Sequence, residues 1–173
     1  MGEGLTLRLF FVMKKILLIN FLLFFTLYSV SADEISNALD NADNFFRSME
    51  NKNYTQVWSL LSIESKEKIL DDIVDSYKAA KSKAPSTNEL ANDFATCRTV
   101  CTSYWDGFLI VFKPEEILEN SEWSVLSVKN KYIEIQIINS KAAKPAVLKM
   151  YKENGQWTVG LTESFWLRRY FQN

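Results

Sequence analysis

The 173-residue sequence has no histidine, two cysteines, three prolines and five glycines. Without histidine it lacks the commonest general base and a principal metal and heme ligand. Two cysteines are too few for a disulfide-dense mini-protein, and alone they cannot close a zinc site. Scarce glycine and proline exclude collagen and low-complexity disorder. There is no glycine-rich phosphate loop, nucleophile elbow, EF-hand spacing or internal repeat. Charge of one sign is also missing: 20 basic residues face 21 acidic ones, a formal net of −1. The charges are scattered, so no basic stripe marks a nucleic-acid footprint. No nucleic-acid partner and no cofactor is expected. What is present is a chain 47% apolar and 14% aromatic, long enough for one domain with a sizeable core.

One long apolar run stands near the start. Met13-Lys14-Lys15 precedes Ile16 to Tyr28, followed by Ser29-Val30-Ser31-Ala32 and the acidic pair Asp33-Glu34. A positive start, a short apolar stretch and a small-x-small site describe a secretory signal peptide, cut after Ala32. The alternative is an uncleaved anchor, but the run is shorter than the ~20 residues a spanning helix needs. No cysteine follows the cut, which argues against a lipoprotein. Residues 1–12 fit an upstream start-codon extension, with Met13 the true beginning. Removing residues 1–32 takes Arg8, Lys14, Lys15 and Glu3, leaving 17 basic and 20 acidic residues, a net of −3. The expected product is a secreted or periplasmic domain, residues 33–173, touching a membrane only through its signal segment.

Within that domain the hydrophobic period changes once. From Asp33 to Glu50, Ile35, Ala38, Leu39, Ala42, Phe45, Phe46 and Met49 recur with helical spacing. Tyr54, Val57, Trp58 and Leu61 predict a second, short helix. Ile69, Leu70, Ile73, Val74 and Tyr77 predict a third, from about Ser65 to Ala80. Ser86-Thr87-Asn88-Glu89 has the form of a capping box. It opens a fourth helix with Leu90, Phe94, Cys97, Cys101 and Tyr104 or Trp105 on its buried side. The run Phe108–Phe112 fits more than one state, and Pro114 can start another helical turn.

After Asn120 the period is two. Residues 123–128, 132–138, 146–152 and 156–161 predict four strands. Asn154-Gly155 is a strong type I′ hairpin signal. It sets Met150 opposite Val159, Leu148 opposite Leu161 and Tyr151 opposite Thr158. Continuous alternation then gives an inner face of Leu126, Val128, Ile133, Ile135, Ile137, Leu148, Met150, Val159 and Leu161. The outer face takes Trp123, Val125, Tyr132, Ile138, Val147 and Tyr151, mixed with Glu134, Gln136, Lys149 and Thr158. The fold class is α+β: amphipathic helices on one face of a curved antiparallel sheet of about four strands.

The stretches ALDNADNFFRSMENKNYTQVWSLLS and KMYKENGQWTVGL, in that order, resemble the nuclear transport factor two-like superfamily, which includes ketosteroid-isomerase-like and polyketide-cyclase-like cones. A cystatin-like fold is the near alternative. The resemblance spans most of residues 35–161 in order of elements. It implies a sheet wrapped round helices, often dimeric through the outer sheet face, with an optional pocket inside. The superfamily holds enzymes and binding modules alike, so it selects no activity.

Three constellations carry candidate chemistry. Proton abstraction in a cone needs an acid or base facing inward, and the expected inner face has none. Tyr104 and Asp106 are the pair left to an enzyme, the alternative being a packed ring and a solvated helix-end carboxylate. Cys97 and Cys101, four apart, suit a disulfide in an oxidising compartment, with reduced core thiols or a redox pair as alternatives. The outer face is more apolar than a solvated one. A second copy or a protein partner would cover Trp123, Tyr132 and Tyr151, unless Glu163–Phe171 of the same chain folds over them. The expected function is a non-enzymatic binding or assembly domain, the alternative a small-molecule enzyme using an apolar cone pocket.

Overall fold

The computed structural model describes residues 32–129 and 131–165. Among the described residues six helices precede the sheet: α1 (Ala32–Glu50), α2 (Tyr54–Leu60), α3 (Ile63–Ala79), α4 (Thr87–Thr96), α5 (Thr99–Val111) and α6 (Pro114–Asn120). Four strands follow, β1 (Ser121–Val128), β2 (Tyr132–Asn139), β3 (Ala146–Glu153) and β4 (Gln156–Gly160), then a single helical turn α7 (Leu161–Ser164). The strands form one antiparallel meander in the order β1-β2-β3-β4. The fold is α+β, with the helices packed on one face of the sheet. The described residues from Asp33 onward belong to one compact unit.

The helical stripes bury as their spacing dictates. Ala38, Ala42, Phe45, Phe46 and Met49 of α1 are all fully buried. α2 starts on Asn53, whose side chain accepts from the Gln56 amide. α3 starts on Ser62, whose hydroxyl accepts from the Ser65 amide at 3.0 Å. At α4 the capping box forms in full: the Ser86 amide donates to Glu89 and the Glu89 amide to the Ser86 hydroxyl. The free edge of β4 is protected by a parallel bridge from Leu61 to Val159 and the Ser62 amide donating to the Val159 carbonyl.

Four expectations need correction or completion. The fourth predicted helix is two. Cys97 adopts the left-handed conformation at φ 41° and ends α4. The Asp93 carboxylate accepts from the Cys101 amide at 2.7 Å, satisfying one of the free donors at the start of α5. Phe108–Phe112 is helical to Val111, with Phe108 buried. At the other end of the domain, Leu161 leaves the ladder after the Lys149–Gly160 pair and opens α7. The Ser164 hydroxyl takes the Lys149 amide in place of a further strand residue.

The largest correction is in β1. Its register against β2 slips between Val125 and Ser127, making Leu126 the extra residue of a bulge. A one-residue slip sends each side chain beyond it to the opposite face. Trp123 therefore stands opposite Ile137 and Val125 opposite Ile135, both on the inner face. The Trp123 ring meets Phe46 edge-to-face at 5.5 Å. Leu126, expected inside, is 52% exposed. Val128 does pair with Ile133, yet at the end of an edge strand it is 41% exposed. The remaining inner residues, Ile133, Ile135, Ile137, Leu148, Met150, Val159 and Leu161, are buried as expected.

Candidate functional site

The interior between helices and sheet is filled. Trp105, Phe45, Phe46, Phe94, Phe108 and Met49 are among the largest fully buried side chains, and their rings interlock edge-on and stacked. Among the described residues the Trp105 indole N–H has no hydrogen-bond partner, and the Tyr54, Tyr104 and Phe108 rings lie against that side chain. Among the described residues no group of three or more potential metal ligands comes together.

The expected proton-transfer pair is not assembled. Asp106 accepts from the Tyr54 hydroxyl at 2.6 Å and from the Lys52 ammonium at 3.1 Å. The Tyr54 bond, with the lysine beside it, holds the carboxyl below its ordinary range. Tyr104 is half-buried against Phe94 and Trp105, and burial, with Asp72 nearby, pushes its phenol well above the usual tyrosine range. Asp106 thus ties the turn after α1 to α5, and Tyr104 packs by its ring.

The two cysteines are joined, with Cα atoms 5.0 Å apart. Their bond spans the α4–α5 junction rather than one face of a continuous helix. Cys101 is fully buried and Cys97 half-buried.

On the outer face Tyr132 and Tyr151 are cross-strand partners, their ring centres 5.6 Å apart. Lys129 and Lys149 lie over the Tyr132 ring at 5.6 and 5.5 Å. Tyr151 leans over Gly160, where a Cβ would come within 2.5 Å of the ring. Glycine is what allows that close approach. Trp123 is absent from this surface, because the bulge turns it inward. Of the C-terminal segment offered as a cover, Glu163, Ser164 and Phe165 are placed, and residues 166–171 lie outside the described residues. Glu163 accepts from the hydroxyls of Ser62, Ser65 and Thr162. That network binds α7 to the start of α3, and both serines are fully buried.

A feature missed from sequence lies at the end of the sheet where β2 turns into β3. A cleft of about 350 Å3 opens there, between the C-terminal end of α5, α6 and the last inner-face residues. Its floor is Phe112, Ile117, Ile137, Ala146 and Phe165, and its rim carries Lys113, Lys141, Lys144 and Glu116. The Phe112 ring stacks on Phe46 and meets Phe165, which fixes the floor to the core. Val111, which also lines the cleft, is 59% exposed, and its neighbour Ile110 is 75% exposed. Two sequence signals pointed here: the undecided run Phe108–Phe112, too apolar for one buried helix face, and the lysines between the second and third strands.

The chain matches no protein-family model, no curated protein and no solved structure. No helix among the described residues is long and apolar enough to cross a membrane.

Proposed function

We propose that this chain is an exported, non-enzymatic binding domain and that its ligand enters the cleft at the β2–β3 end of the sheet. One observation carries the reading: an apolar floor anchored in the core meets a charged rim in a concavity of about 350 Å3. That combination is the usual build of a small-molecule site, whose volumes run from roughly 300 to 1,000 Å3. The enzyme alternative gives Tyr104 and Asp106 proton-transfer roles; Asp106 instead accepts from Tyr54 and Lys52, and the Tyr104 ring packs on Phe94 and Trp105. In element order the domain resembles the nuclear transport factor two-like superfamily, and this reading sets it beside the non-catalytic members. Export rests on the Lys14-Lys15, apolar-run and Val30-Ser31-Ala32 order.

The test is binding of Nile red, an uncharged environment-sensitive dye, to the purified protein. Fluorescence should rise on binding to the wild type. The rise should disappear in Ala142→Trp, which places a large ring on an exposed rim position and leaves the core untouched. Circular dichroism checks that the variant is folded. Dye binding that Ala142→Trp leaves unchanged would remove the cleft as the site.

A further inference from the structure

We infer that the cleft takes a single-chain amphiphile with an anionic head, a fatty carboxylate. The inference rests on the binding reading above and adds the chemistry of the ligand. The rim holds three lysines against one carboxylate, Glu116. Lys141 lies 3.8 Å from Glu116 and offsets it. Among the described residues, Lys113 reaches only a backbone carbonyl, Leu109, at 3.5 Å, and Lys144 makes no side-chain hydrogen bond or ion pair. Two positive charges are thus left at the mouth of the cleft, in a mature chain whose net is −3. This local excess favours an anion and disfavours a cation. A free inorganic anion would leave the floor of Phe112, Ile117, Ile137 and Phe165 unused. A wholly apolar ligand would leave the lysines unused.

Size selects further. A cleft of about 350 Å3 sits at the small end of ligand sites, which suits one acyl chain rather than two. Val111 both lines the cleft and is 59% exposed, and Ile110 beside it is 75% exposed. A tail longer than the cleft has apolar surface to follow along the end of α5. The same residues could rest on an anionic membrane. The floor argues for a free chain, since membrane docking would use the exposed Ile110 and Val111 and leave the concavity empty.

Calorimetric titration with decanoate, 1-decanol and decyltrimethylammonium separates the possibilities, because the three share a tail and differ in head charge. Decanoate should bind about tenfold more tightly than decanol, the scale expected of a few exposed charge pairs. Decyltrimethylammonium should bind more weakly than either. The triple variant Lys113→Ser, Lys141→Ser, Lys144→Ser should bring decanoate to the level of decanol without changing decanol itself. Lys144→Ser alone should give part of that loss. Ala142→Trp should remove both. Equal binding of decanoate and decanol, blocked by Ala142→Trp, would overturn the anionic head while leaving the cleft a binding site. Absence of binding by all three would overturn both readings. Co-sedimentation with phosphatidylglycerol-containing vesicles, without decanoate binding, would overturn the free ligand in favour of a membrane surface.

Discussion

At the scale of single residues, two carboxylates act as tethers between elements. Asp106 joins α5 to Tyr54 and Lys52. Glu34, in the first turn of α1, accepts from Lys152 at 2.6 Å and from the Trp157 indole at 2.9 Å. Both carboxyls are held below their ordinary values of 3.8 and 4.5 by these donors. A group with a depressed folded pKa stabilises the fold above its unfolded pKa, and loses that contribution as pH falls through the folded value. Stability should therefore be flat near neutrality and decline as pH drops below about 4. Both groups are solvent-facing, so screening keeps the effect modest. Asp106→Asn should flatten that decline, measured as urea midpoints between pH 2.5 and 7. An unchanged acid limb would mean that Asp106 is not held below its ordinary range.

At the scale of elements, one bulge decides which face of β1 is which. Trp123 packs edge-to-face on Phe46, and Leu126, three residues on, meets solvent. Trp123→Ser should cost about 2–4 kcal/mol, the scale of losing a large ring from a packed site. Leu126→Ser should stay within about 0.5 kcal/mol. Equilibrium denaturation compares them directly, and the reverse order would restore the unbroken alternation. Much else at this scale was legible. The stripe of α1, the capping box of Ser86 and Glu89 and the Asn154-Gly155 hairpin follow from spacing and local chemistry. The bulge was not legible, because Ser124-Val125-Leu126-Ser127-Val128 alternates equally well in either phase. Only pairing with Ile133, Ile135 and Ile137 selects one. The break at Cys97 was hidden for a related reason: no glycine or proline marks it, and its αL turn depends on Asp93 capping the next helix and on the bond to Cys101. The cleft needed three separate segments to converge, which no single window of sequence contains.

At the scale of the whole molecule, that same bulge bears on assembly. Alternation without it sets Trp123, Val125, Tyr132 and Tyr151 together on the outer face, a surface that a second copy or a protein partner would cover. With Trp123 and Val125 inside, the face keeps Ile138, 43% exposed, and the half-buried Val147 beside the tyrosine pair, among Ser124, Ser127, Glu134, Gln136 and Lys149. Those two rings are already half-covered by each other and by Lys129 and Lys149. A stable homodimer buries about 800 Å2 on each subunit around an apolar centre, and with Trp123 and Val125 inside this face has a smaller apolar centre than unbroken alternation gives it. The protein without residues 1–32 should therefore sediment as a monomer across the micromolar range in analytical ultracentrifugation. The outer face would regain its standing as an interface if a dimer appeared and Tyr132→Ser with Tyr151→Ser dissociated it while the domain stayed folded. A dimer indifferent to both tyrosines but lost in Ala142→Trp would instead place the contact at the cleft, where a second copy would compete with the proposed ligand.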